Sequence, residues 1–124
     1  MSTRSALARD EQLDAVFSAL GDPTRRRLLT RLASGPASIT KLAEPFAMTL
    51  PAVSKHLRVL ERAGLLRRER DGAYHRCRLD ARPLEDAATF LARYRPFWEG
   101  TLDELARYVE RPESPKRPRR RGRP

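Results

Sequence analysis

The chain has a single cysteine, Cys77, in 124 residues, so no disulfide can form within it. That scarcity fits a reducing compartment. Histidine is almost as rare: His56 and His75 are the only two, and none follows position 75. Long hydrophobic runs are missing as well. The longest stretch without a charged side chain is ten residues, Pro45 to Ser54, well short of the ~18 apolar residues that suggest a membrane span. No signal-like apolar region follows the N-terminal charges, so the cytoplasm is the expected location. Cys77 and His75 make a poor nucleophile and base, because no third orienting group or oxyanion site can be named. No catalytic residue is assigned, and an enzyme is the remotest reading.

Acidic side chains are outnumbered, with 26 Lys and Arg against 16 Asp and Glu for a net charge of +10. The excess is uneven. Residues 111–124 hold seven basic side chains against one acidic, Glu113, or +6. The remaining 110 residues hold 19 against 15, or +4. The last segment, RPESPKRPRRRGRP, has no aliphatic or aromatic side chain to bury and is expected to be disordered. The length suits one compact core. The expected organisation is a flexible N-terminus at 1–10, one folded domain at 11–110 and a disordered basic tail at 111–124. Polyanions are plausible partners for body and tail alike.

Leu13, Val16, Phe17 and Leu20 mark a first helix, ended by Gly21. Asp22 offers an N-cap and Pro23 a preset first turn for a second, through Leu32, which Ser34-Gly35-Pro36 stops. Ser38 can cap a third with Ile39, Leu42 and Phe46 on one side, cut short by Pro45. Thr49 caps a fourth, with Pro51 harmless in its first turn. There Val53, Leu57 and Leu60 point one way, with Leu50 near the edge of the stripe. Pro51, Ser54, Lys55, Arg58 and Arg62 point roughly the other. Ala63-Gly64 closes it. Leu65 to Arg70 and Ala73 to Leu79 then flank Asp71-Gly72, a strong hairpin signal. On the second strand Tyr74, Arg76 and Arg78 share one side, while Ala73, His75, Cys77 and Leu79 share the other.

From Ser38 to Leu79 this order is a winged helix-turn-helix, and the fold class is mainly α with a small β-hairpin. Such an arrangement pushes its second helix into the DNA major groove with the hairpin beside it, so double-stranded DNA is the leading partner. Lys55 and Ser54 could reach base edges, and Pro51 or Ala52 a thymine methyl. Arg58 and Arg62 suit phosphates. From Leu84 to Val109 apolar residues recur at three- or four-residue steps over about seven turns. Pro96 and Gly100 should kink or divide this stretch into two pieces. A twofold partner is the simplest cover for a stripe that long, with Phe97, Trp98 and Tyr108 on its second piece.

Ala19-Leu-Gly-Asp-Pro-Thr-Arg-Arg-Arg-Leu-Leu29, Leu50-Pro-Ala-Val-Ser-Lys-His-Leu-Arg-Val-Leu60 and Glu61-Arg-Ala-Gly-Leu-Leu66 resemble the ArsR-type winged-helix repressors of bacteria. The resemblance covers roughly Leu13 to Val109. It implies a cytoplasmic homodimer joined through the first and last helices, with Leu13, Phe17, Leu91, Tyr94, Trp98, Leu102 and Leu105 as contacts. It also implies that Leu50 to Leu60 is the recognition helix, with Asp71-Gly72 at the wing tip. The DNA-facing set is then Thr49, Pro51, Ala52, Ser54, Lys55, Arg58 and Arg62, with Arg70, Gly72, Tyr74 and Arg76 of the wing. The sequence departs from the metal-sensing members: Ser38 to Phe46 has no cysteine or histidine, and nothing past His75 is histidine. No metal ligand or cofactor is expected, and any small-molecule effector is left unidentified.

Two alternatives differ in mechanism. A metal- or thiol-responsive repressor would use Cys77 and His75, though two ligands fall short of the usual three or four. A non-specific basic nucleic-acid-binding protein would rely on the +10 charge alone. His56, beside the buried stripe, reads as a hydrogen-bonded core-edge residue. Arg25, Arg26 and Arg27 serve either first-turn packing or phosphate contact. Tyr94, Phe97 and Trp98 fit core and interface packing better than a ligand pocket.

Overall fold

A computed structural model describes residues 3–109, the side chains of Thr3, Arg4, Asp71 and Leu102 excepted. The basic tail expected at 111–124 lies outside the described residues. The element order is α1 (Thr3–Leu20), α2 (Pro23–Leu32), α3 (Ile39–Ala43), α4 (Leu50–Arg62), β1 (Leu66–Asp71), β2 (Tyr74–Leu79), α5 (Arg82–Ala92) and α6 (Arg95–Val109). Two compact units divide after Thr89.

In the first unit the helix starts are encoded by short polar side chains. Asp22 accepts from the Arg25 amide, Ser38 from Lys41 and Thr49 from Ala52, each satisfying an amide that has no partner in the helix's first turn. The Arg25 amide, with help from the Arg25 guanidinium, holds the Asp22 carboxyl below its ordinary value despite the opposing effect of burial. A carboxyl lowered on folding stabilises the protein above its unfolded titration range, and that contribution fades as acid protonates it. Asp22→Ala is therefore expected to cost about 1 kcal/mol at neutral pH. Thermal melts of both proteins should show that gap shrinking below about pH 4; a gap constant with pH would contradict the assignment.

α4 ends in a paired backbone lock. Gly64 takes φ +82°, its N–H donates to Glu61 O at 2.9 Å, and Leu65 N–H reaches back to Leu60 O at 3.0 Å. This is the Schellman arrangement, completed by apolar Leu60 and Leu65, both fully buried. The core lies beneath it: Val16, Leu28, Leu42, Val53, Leu57, Leu60, Leu65 and Cys77 are its largest fully buried side chains. β1 and β2 pair antiparallel from Leu66↔Leu79 to Asp71↔Tyr74. Ala37 adds an isolated bridge to Cys77.

Several expectations shift. α1 begins at Thr3, where the sequence suggests a flexible lead-in to position 10, because Ala6, Leu7, Ala8 and Arg9 are strong helix formers even though exposed. α3 is only five residues long and gives way to turns before Phe46. The hairpin turn is centred on Gly72-Ala73 rather than Asp71-Gly72, with Gly72 at φ +64°. Glycine at the first central position favours this placement. Leu50, near the edge of the buried stripe, is 49% exposed.

In the second unit the long apolar stretch breaks at Arg93 and Tyr94, just before Pro96, which then sits where a helix tolerates proline. Gly100 lies within α6 and does not divide it. The Phe90, Tyr94 and Phe97 rings follow one another across the break, with centroids 5.7 and 6.3 Å apart. Arg93 lies over Phe90 at 5.4 Å.

Candidate nucleic-acid interface

α3 and α4 form the helix-turn-helix, and α4 is sharply two-faced. Val53, Leu57 and Leu60 have no exposed surface, whereas Pro51, Lys55, Arg58 and Arg62 are exposed. Ser54 and Ala52 are half-buried at the margin of the outer face. A weak 3.5 Å contact joins Arg58 to Ser54 Oγ, one turn back. Thr49 is exposed, but its hydroxyl already accepts from the Ala52 amide, so its first duty is the cap. In the hairpin Arg70, Gly72, Tyr74 and Arg76 are all exposed, Tyr74 at 71%. The structure thus brings the α4 set together on one helix face and the hairpin set at one hairpin end.

Charge pairing separates this surface from its surroundings. Arg68 meets Glu61 at 3.0 Å and Arg78 meets Glu69 at 2.7 Å; Arg67 and Arg82 meet Asp80 at 3.4 and 2.8 Å. Asp80, gripped chiefly by hydrogen bonds from Arg82, titrates at about 2. Among the described residues Lys55, Arg58, Arg62, Arg70 and Arg76 have no carboxylate partner. Pairing consumes the cations at the base of the hairpin and spares those on the outer face of α4.

His56 holds α4 from behind. Arg25 Nη1 lies 3.2 Å from its Nδ1 and donates there in the tautomer that carries the proton on Nε2. Asp22 Oδ2 lies 3.9 Å from the same nitrogen. Arg25 also donates to the carbonyls of Ala19 (2.8 Å) and Ser18 (3.1 Å), and Arg26 to that of Leu20 (2.8 Å). These two arginines cap the C-terminal end of α1, the cation-favouring end of a helix, and Arg25 fastens it to α4. The sequence alone places His56 correctly and leaves this role of the arginines undecided. The exposed Arg27 side chain has no hydrogen bond or ion pair among the described residues.

Cys77 is 1% exposed, and burial pushes its thiol up. His75 stands on the same alternation of β2 but is exposed nearer the turn. Among the described residues no three His, Cys, Asp or Glu side chains gather as a metal site would require.

Of the residues expected at a dimer seam, Leu13 and Phe17 are half-buried and pack partly on their own core. Leu91, Tyr94, Trp98 and Leu105 are 43, 44, 40 and 55% exposed. The side chain of Leu102 is outside the described residues.

A helix-turn-helix with an unpaired cationic outer face and an adjoining hairpin defines a DNA-binding winged-helix protein. The helix-turn-helix domain family matches residues 20–69. The HTH-type transcriptional regulator Rv2034 of Mycobacterium tuberculosis is 36% identical over 97 residues, covering 78% of this chain and 88% of its own. The transcriptional repressor SdpR of Bacillus subtilis is 30% identical over 82 residues, covering 66% and 91%. Among solved structures, the ArsR family transcriptional regulator RHA00566 superposes with a TM-score of 0.66 at 41% identity, covering 73% of this chain and 93% of that one. A homodimeric winged helix-turn-helix DNA-binding domain from Mycobacterium bovis superposes with a TM-score of 0.58 at 28% identity, covering 84% and 93%. The chain belongs to the ArsR-type winged helix-turn-helix family and is a DNA-binding transcriptional regulator. No helix among the described residues is long and apolar enough to cross a membrane.

Proposed function

We propose that the protein is a cytoplasmic, homodimeric repressor that occludes a promoter by binding a short inverted repeat. The observation that carries this reading is the outer face of α4, where Lys55, Arg58 and Arg62 stand exposed without carboxylate partners among the described residues. Pro51, Ala52, Ser54 and Lys55 reach base edges; Arg58, Arg62, Arg70, Tyr74 and Arg76 meet the backbone, with Gly72 at the wing tip. The dimer is supported by exposed Leu91, Tyr94, Trp98 and Leu105 and by the homodimeric state of the M. bovis domain. Repression is supported by the name of the B. subtilis relative. The buried thiol of Cys77 and the exposure of His75 weigh against a switch built on that pair.

Selection from a pool of randomised duplexes tests the proposal. The enriched sequences should form an imperfect palindrome whose half-site centres lie about one helical turn, ~34 Å, apart. Enrichment of a single unrepeated motif, or of none, would contradict it.

A further inference from the structure

The cations that escape pairing are not confined to α4. Arg31, Lys41 and Arg76 have no carboxylate partner among the described residues, yet they converge with Ser38, Tyr74 and His75 on one cleft of about 300 Å³. No acidic side chain lines it. Glu69, which faces Arg76 across the hairpin, is taken by Arg78 at 2.7 Å. Three elements contribute: Arg31 from the last turn of α2, Lys41 from α3 and Arg76 from β2. Their approach is imposed by the backbone. Ala37 donates its N–H to Cys77 O at 3.1 Å and accepts from Cys77 N at 2.8 Å, clamping the α2–α3 connection onto β2. Ala37 and Cys77 are both buried, so the clamp is part of the core. Like charges held together repel one another unless an anion enters between them.

We propose that this cleft seats a phosphodiester of the DNA backbone, between the first helix of the helix-turn-helix and the hairpin. Arg31, Lys41 and Arg76 supply the charge, with the Tyr74 hydroxyl as a further donor. Duplex DNA suits it better than a small free anion because Arg31, Lys41, Tyr74 and Arg76 are all exposed, so a backbone running past can touch them together. The inference rests on duplex DNA being the partner. It adds an anchor that fixes register without reading sequence.

Arg31→Gln and Lys41→Gln, singly and together, test it, because both positions are exposed and glutamine keeps helix propensity. Affinity for the selected operator and for a random duplex should fall equally, about fivefold near physiological salt for each phosphate that is no longer neutralised. The operator-to-random ratio should stay that of the unaltered protein. The salt slope should become shallower by about 0.9 for each such phosphate. A duplex carrying one neutral methylphosphonate at the contacted position should bind the unaltered protein more weakly and the double variant no worse. An unchanged slope, or an equal drop for both proteins on the neutral linkage, overturns the proposal. So does unaltered DNA binding coupled to loss of inorganic phosphate binding, which would assign the cleft to a free anion. Absence of any operator preference in the unaltered protein would instead sink the repressor reading, while the slope comparison on random duplex would still decide the cleft.

Discussion

Replacing Lys55 and Arg58 together by alanine is expected to lower operator affinity about 100-fold or more while leaving the fold unchanged. Both side chains are exposed, and neither supports the core formed by Val53, Leu57 and Leu60 on the other side of α4. A side chain at a base edge contributes roughly 1–3 kcal/mol to discrimination, and a phosphate contact contributes to affinity on every sequence. In a symmetric dimer each substitution acts at both half-sites. Binding should therefore weaken on both duplexes through the lost Arg58 phosphate contact, and more on the operator through Lys55, compressing the ratio between them. Titrations of both duplexes at one salt concentration check this. Equal weakening on the two would make the row a phosphate anchor alone, and no weakening would remove it from the interface.

The second large effect is expected from Trp98→Glu combined with Leu105→Glu. Seven residues apart on α6, they share a helix face and are 40 and 55% exposed. A carboxylate facing its own symmetry copy repels it and removes apolar area from the seam. Sedimentation should change from a dimer to a monomer, and operator affinity should fall by orders of magnitude as two linked half-site contacts become independent. Random-duplex binding per chain should change less. A variant that stays dimeric would place the seam elsewhere.

How much of this is readable in the sequence follows from the range of the forces involved. The caps at Asp22, Ser38 and Thr49 are local bonds spanning three residues, so their side chains announce them. The two-faced pattern of α4 is equally local and places Lys55, Arg58 and Arg62 on its outer side. The hairpin is legible to within one residue, because Asp71-Gly72-Ala73 permits two neighbouring turns and only the paired register decides between them. The one-residue difference leaves the alternation on β2 intact, with Cys77 in and Tyr74, Arg76 and Arg78 out.

What stays hidden depends on contacts between segments distant in sequence. Arg25 reads as one of three equivalent arginines until its guanidinium is seen to join the end of α1 to His56, 31 positions later. Arg31 and Lys41 give no pattern, since the Ala37–Cys77 bridge that carries them to Arg76 spans 40 positions. The start of α1 escapes notice because exposed Ala6, Ala8 and Arg9 carry propensity but no periodic stripe.

One equilibrium titration reaches the central claim most directly: the selected duplex and a scrambled duplex of equal length, at the same physiological salt, with the number of chains per duplex counted in each complex. The account predicts two chains on the selected duplex and an affinity about 10³-fold or more above that for the scrambled one. A ratio near one, or a single chain bound per site, would contradict it.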